Sequence, residues 1–342
     1  MPEFFSRGAR QTVVVTGGNR GLGFACAQAL AGSGQNCCVI IAGHDREGIA
    51  NAAGRLRQAG AARVEPMLLN LASQRSIHFF TENLAQQVRL GHLPPLHAVV
   101  CNAAVQLPAA VTHTADGYEQ TFGVNYLGHF MLVNSLLPLL AEPGRVVVVG
   151  GGEGKWWRRV EPALPADLPE ARRLAWPEGP EGLRLSGLAR YRFSKQYLLW
   201  FAFELHRRLA AARAAGGPDL GVNVYYPSPT PGTGLARHWP ACLQWLWHSK
   251  PLRTLGRACG ARLHTLEESG RSLAGLVLDP ALQGVSGRYF QGLYERHSMD
   301  INGDPAVAQK LWADCAELLR RHPGEKVVRP KVAFGVRPVL GH

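Results

Sequence analysis

Apolar positions along this chain gather into short blocks rather than alternating with polar ones. Residues 12–16, 37–42, 64–69, 97–101, 144–149 and 221–226 are such blocks, most of them rich in Val, Ile or Leu. Runs without in/out alternation predict strands covered on both faces, as in a parallel sheet. Residues 287–290 predict a short seventh strand. Helix-length stretches separate the blocks: Gly21–Ala31, a stretch that Asp45 can cap, 73–88, a long one over 115–140, one around Tyr191, and Pro305–Arg320 at the end. This alternation, with right-handed crossovers, predicts an α/β fold built on a doubly wound parallel sheet with helices on both faces.

Two segments break the rhythm. Residues 153–190 are rich in Pro, Gly and charge, and 227–264 open with Pro-Ser-Pro-Thr-Pro-Gly before turning Trp- and Leu-rich. Both follow carboxyl ends of strands, where open α/β sheets place their ligands. The expected organisation is one domain over 11–322, with 153–190 and 227–264 as insertions on the substrate side. Residues 323–342 are expected to form a basic tail.

With 46% hydrophobic and 18% charged residues, the composition is that of a folded chain. The net charge of +12 suits a solvated basic surface, or attraction to phosphates, an anionic substrate or an acidic membrane face. Zinc-finger spacing, a recognition-helix pattern and ribonucleoprotein motifs are missing, so nucleic acid is not an expected partner. Seven scattered cysteines without Cys-x-x-Cys point to a reducing compartment, cytoplasm or organelle interior, with no disulfide framework or zinc site. Thirteen scattered histidines without His-Glu-x-x-His predict no metal site; His206 and His264 are expected at the surface or core edge. No Gly-x-Ser-x-Gly elbow is present. No apolar run reaches the roughly 18 residues of a membrane span. A first strand beginning near Gln11 is expected to leave no room for a secretory signal; residues 1–10 would at most be the remnant of a transit peptide.

Thr16-Gly17-Gly18-Asn19-Arg20-Gly21-Leu22-Gly23 joins the first strand to the first helix. There, glycines let the backbone approach a pyrophosphate, and the helix N-terminus offers N–H groups to the anion. Gly17, Asn19, Arg20, Gly21, Leu22 and Gly23 are the expected cradle. The second strand ends Ala42-Gly43-His44-Asp45-Arg46, without the acid at its tip that would hold a free ribose 2′-hydroxyl. Asp45 is equally well explained as a helix cap. Arg20 with His44 or Arg46 would hold a 2′-phosphate by charge-assisted hydrogen bonds, so NADP(H) is expected over NAD(H). Asn102, Ala103 and Ala104, ending the fourth strand, suit close backbone passage beside the adenosine half. Asn70 and Leu71 follow the third strand; Asn70 either touches the adenine or serves as a turn residue. Pro227, after the sixth strand, completes the expected lining.

Tyr191 and Lys195, four residues apart in Tyr-Arg-Phe-Ser-Lys, would share one helix face. A phenol has a pKa near ~10. A neighbouring ammonium is expected to lower it. Tyr191 could then give a proton to a carbonyl oxygen during hydride delivery, or take it from an alcohol in reverse, while Lys195 reaches the nicotinamide ribose.

At these residues the chain resembles the short-chain dehydrogenase/reductase family. The likeness rests on the glycine turn at 16–23, Asn102-Ala103-Ala104, Asn125 in Val-Asn-Tyr-Leu-Gly-His-Phe, and Tyr191 with Lys195. It implies a single-domain Rossmann fold. It also implies that Asn125 kinks the long helix and holds a water linking Lys195 to solvent. Members often form homodimers through the long helices carrying Asn125 and Tyr191. More narrowly, 101–105, 114–119, 125–130, 203–208 and 234–235 look like light-dependent protochlorophyllide reductases and retinol-dehydrogenase-like members. Those groups imply a bulky hydrophobic substrate, a carbonyl, an alcohol or a conjugated double bond. Trp239, Trp245, Leu246 and Trp247 would form a lid, a membrane-facing patch, or simply a Trp-rich helix packed on the core.

The pattern departs from the family in two places. A catalytic Ser normally ends strand five, but here the chain reads Val149-Gly150-Gly151-Gly152-Glu153. Losing one donor to a developing oxyanion costs roughly 3–4 kcal/mol. A glycine N–H, a water or Ser186 would have to substitute. The Cys that protochlorophyllide reductases carry after strand six is also missing from 226–231. Two readings follow: a reductase with Tyr191 as acid and an altered oxyanion site, or a nucleotide-binding homologue acting as a structural or regulatory subunit.

Overall fold

The computed structural model describes residues 9–61, 63–108, 110–151, 170–178, 185–227, 230, 264–292, 294–296 and 304–320. The Trp-rich stretch 239–247, Gly152, Glu153 and the tail 323–342 lie outside the described residues.

The chain runs β1 (Gln11–Thr16), α1 (Gly21–Ala31), β2 (Cys37–Gly43), α2 (Arg46–Gln58), β3 (Arg63–Leu68), α3 (Gln74–Arg89) and β4 (Leu96–Cys101). A composite helix follows: α4 (Gln120–Phe122), a π-turn (Gly123–Leu127), α5 (Gly128–Leu136) and a 3₁₀ turn (Leu137–Leu139). Next come β5 (Leu140–Val149), α6 (Ala171–Ala175), α7 (Gly187–Ala214), β6 (Leu220–Tyr226), α8 (Leu266–Leu278), β7 (Tyr289–Gln291), β8 (Tyr294–Glu295) and α9 (Pro305–Arg320). The sheet order is β3-β2-β1-β4-β5-β6-β7-β8. Every pairing is parallel except β7 with β8. The order reverses at β1, which pairs with both β2 and β4, so a crevice opens at their carboxyl ends.

Side-chain alternation divides the strands between two cores. Val13, Val15, Val147, Val149 and Tyr225 join α1, α2 and α8 on one face. Val14, Val146, Val148, Val224 and Tyr289 join α3, α5, α7 and α9 on the other. The strands are apolar on both sides because both sides are covered.

The long helix is shorter than the pattern suggests. Thr114 to Gly117 form a turn, with Gly117 at φ 78°, and Glu119 caps Gln120 by accepting from the Phe122 N–H. Leu140 already belongs to β5. The break 153–190 contains α6 and the first turn of α7, and α8 lies where no helix is expected. Its signal was in the sequence: Thr265-x-x-Glu268 forms a reciprocal capping box.

On the helices through which the family resemblance implies dimerisation, the chain's own α9 packs through Trp312. Trp312 stacks on Phe201 at 5.5 Å and meets the Phe130 ring edge-on at 4.8 Å, while the Arg208 guanidinium lies 4.4 Å over its other side.

Candidate active site

The turn after β1 is closed by strand β4. Gly17 adopts φ 64°, in the left-handed region. A Cβ on Gly23 would come 2.3 Å from the Gly17 carbonyl and 2.5 Å from the Asn102 side chain, so only glycine lets α1 start this close. Asn102 Nδ2 donates to the Thr16 carbonyl at 2.8 Å, and the Asn102 and Ala103 N–H groups both donate to Thr16 Oγ1 at 2.9 Å. Arg20 occupies the N-cap of α1 without a side-chain cap, and Gly21 faces open space. The uncapped N–H groups of α1 thus present the positive end of a helix to that space, which fits a dinucleotide pyrophosphate.

Asp45 caps α2, accepting from the Gly48 N–H at 3.0 Å. Arg20, His44 and Arg46 are exposed and make no ion pair among the described residues. Asn19 lies beside Gly43 and Gly48, between the glycine turn and the end of β2. Asn70 acts as the turn residue: its Oδ1 accepts from the Ala72 N–H at 3.0 Å. The Leu71 side chain is buried in the core. The Pro227 carbonyl, past the end of β6, accepts from Thr230 Oγ1 at 2.9 Å.

The π-turn falls on Asn125, which is fully buried. Its side chain clasps the strand-end segment, accepting from the Val105 N–H at 2.7 Å and donating to the Val105 carbonyl at 2.9 Å. The same amide donates to Ser194 Oγ at 2.9 Å, tying it to the helix of Tyr191. One turn on, His129 Nδ1 donates to the Asn125 carbonyl at 2.8 Å. That carbonyl can only accept, so Nε2 is left as an acceptor 3.0 Å from Thr16 Oγ1. Burial lowers the pKa of His129 to about 4, so the ring is neutral. Neither Thr16 nor His129 is among the expected site residues, although His129 sits four residues after Asn125 on one helix.

Tyr191 and Lys195 stand one turn apart on α7, with the Lys195 ammonium 5.9 Å from the Tyr191 ring centre. The ammonium points past the phenol and donates to the Val149 carbonyl at 2.9 Å. Burial lowers its pKa to about 8. The expected depression of the Tyr191 pKa is not realised: burial, with the charge of Tyr226 adding, pushes it up to about 12. Desolvation outweighs an ammonium that is spent on a carbonyl.

Ser186, considered as a substitute for the absent serine, begins α7. It is the N-cap of α7 and accepts from the Ala189 N–H at 3.1 Å. At the end of β5, a Cβ on Gly151 would sit 2.9 Å from Lys195 Cβ.

A buried ion pair ties neighbouring segments together. Arg190 and Glu119 are almost fully buried and 3.1 Å apart, in a charge contact rather than an aligned hydrogen bond. Arg190 also donates to the carbonyls of Leu185 at 2.8 Å and Leu107 at 3.2 Å. It therefore binds the segment after β4, the start of the Asn125 helix and the start of the Tyr191 helix into one corner. All five described cysteines are buried and free. No group of residues that could hold a metal occurs among the described residues, and no described helix is long and apolar enough to cross a membrane.

Fold and site together define an oxidoreductase of the Rossmann nucleotide-binding type. Residues 11–161 match the family model described as short chain dehydrogenase. Mouse retinol dehydrogenase 14 is 34% identical, over 90% of this chain and 85% of that protein. Protochlorophyllide reductase of Chlamydomonas reinhardtii is 30% identical, over 91% of this chain and 78% of that protein. The Pseudomonas aeruginosa RhlG/NADP active-site complex superposes with a TM-score of 0.56 at 23% identity, covering 85% of this chain and 97% of that one. The chain belongs to the short-chain dehydrogenase family, whose members use NAD(P)H.

Proposed function

We propose that this chain is an NADP(H)-dependent enzyme that moves hydride to or from a bulky hydrophobic carbonyl or alcohol, or a conjugated double bond. Tyr191 is its acid and base. The observation that carries this is Tyr191 and Lys195 one turn apart on α7, at the ends of β4 and β5, with Asn125 clasped between the strand end and that helix.

The glycine turn and the open N-terminus of α1 would hold the pyrophosphate, and Arg20, His44 and Arg46 the 2′-phosphate. Asn102 and Ala103, moored to Thr16, would line the adenosine side. When bound, the dinucleotide supplies or accepts the hydride. Tyr191 keeps its proton at neutral pH, because burial holds its pKa high. It is therefore set to give that proton to a carbonyl oxygen as negative charge develops there. A bulky apolar substrate is supported by the relatives, whose names point to retinol and protochlorophyllide.

A second reading rests on Gly150 and Gly151, which put no hydroxyl where the family keeps its serine: a homologue that binds nucleotide without turnover and serves as a structural or regulatory subunit. Fluorescence titration with NADPH and NADH, followed by single-turnover loss of NADPH absorbance with all-trans-retinal, separates the two. NADPH is expected to bind more tightly than NADH. Tyr191→Phe is expected to slow turnover at least about 100-fold. Tighter NADH binding would overturn the cofactor choice. Binding without turnover across bulky carbonyls would favour the second reading.

A further inference from the structure

We propose that the phenol of Tyr226 donates a hydrogen bond to the substrate oxygen in place of the serine absent from the end of β5, with Tyr289 stacked against it to hold the ring. The proposal rests on the reading of Tyr191 as the acid.

The end of β5 leaves little room for a serine. A Cβ on Gly151 meets the Lys195 side chain at its base, 2.9 Å away, so a side chain there displaces the lysine. The neighbouring strand compensates. Tyr225 pairs with Val149, and the Gly150 N–H donates to the Tyr225 carbonyl at 3.0 Å, so Tyr226 follows directly where β5 gives way to the glycines. Alternation sends the two tyrosines to opposite faces. Tyr225 turns to α8, where its hydroxyl donates to the Ser269 carbonyl at 3.0 Å. Tyr226 turns to the face of α7, which carries Tyr191 and Lys195.

Two contacts hold it there. The Tyr226 and Tyr289 rings stack with centres 6.4 Å apart and 22° between planes. The Tyr289 hydroxyl donates to the Gly151 carbonyl at 3.4 Å, mooring the pair to the end of β5. The charge that Tyr226 would carry is felt at Tyr191, so the two phenols lie within electrostatic reach. Division of labour follows from their chemistry. Tyr191 gives its proton to the substrate oxygen, and Tyr226 keeps its own, sharing it in a hydrogen bond as the oxygen gains charge.

Tyr226→Phe removes only the hydroxyl and keeps the ring stack. With NADPH and all-trans-retinal, its single-turnover rate is expected to fall about 100-fold, while NADPH affinity stays within about twofold of the parent. Binding of retinal to the dead-end complex with NADP⁺, read by fluorescence quenching, is expected to weaken about tenfold. Tyr226→His, an aromatic ring with an N–H donor, is expected to recover about tenfold over Phe. A Tyr226→Phe rate within about threefold of the parent, with Tyr191→Phe still inactive, would overturn the Tyr226 role and leave that of Tyr191 standing. So would equal loss in Phe and His. A parent chain that binds NADPH but reduces neither retinal nor another bulky carbonyl would overturn both.

Discussion

At the scale of single residues, the site depends on neutral groups held in low-dielectric surroundings. His129 is fully buried and uses both ring nitrogens, one on the Asn125 carbonyl and one on Thr16, so it cannot take a proton without losing a partner. Its pKa falls from an ordinary 6.5 to about 4 on folding. The unfolded chain therefore binds the proton first as pH drops. Stability from the neutral ring is complete above the unfolded value and is lost as pH falls from about 6.5 toward about 4. The loss amounts to about 3 kcal/mol. Urea unfolding across that range is expected to show this slope in the parent and a flatter one in His129→Gln. Identical slopes would mean that the ring is not held neutral.

At the scale of elements, three segments that the sheet alone does not align meet at Arg190. Glu119 and Arg190 are buried together, so removing one partner strands a charge in the interior. Arg190→Met is expected to cost about 3–5 kcal/mol in chemical denaturation, and the double variant Glu119→Leu/Arg190→Met to recover most of it. An additive double variant would show that the pair does not act as a unit. The corner also explains an error of pattern. Periodicity carried the long helix back to residue 115, but the Asp116-Gly117 turn and the Glu119 cap begin it at Gln120. Conversely, the start of α8 is legible in its Thr265/Glu268 capping box, although it follows a segment with no strand signal.

At the scale of the whole molecule, α9 decides what surface is left. Trp312 sits between Phe201, Phe130 and Arg208, and the Tyr118 hydroxyl donates to the Leu318 carbonyl at 2.9 Å. Two copies that paired through the Phe130 and Phe201 surface would compete with Trp312 for it. Light scattering of the purified chain is expected to give the monomer mass of 37.1 kDa. Twice that value, kept when the α5–α7 face is mutated, would place a dimer contact elsewhere; a dimer lost on such mutation would mean that α9 is displaced.

Local constraints made much of this protein legible from the sequence. Solid apolar blocks determine doubly covered strands, glycines at 17 and 23 determine a turn that nothing bulkier could close, and four-residue spacing places Tyr191 and Lys195 on one face. The tertiary structure decided what depends on contacts between distant segments. Whether the Lys195 ammonium reaches the phenol or the Val149 carbonyl is set by the end of β5, 46 positions away. That Asp45 caps a helix follows from the Gly48 N–H beside it. The meeting of Tyr226, Tyr289 and Gly151 needs three strands in register, and the fate of the α5–α7 face depends on a helix more than a hundred positions away. Burial then turned the expected fall in the Tyr191 pKa into a rise, because desolvation belongs to the packed interior and not to neighbours in sequence.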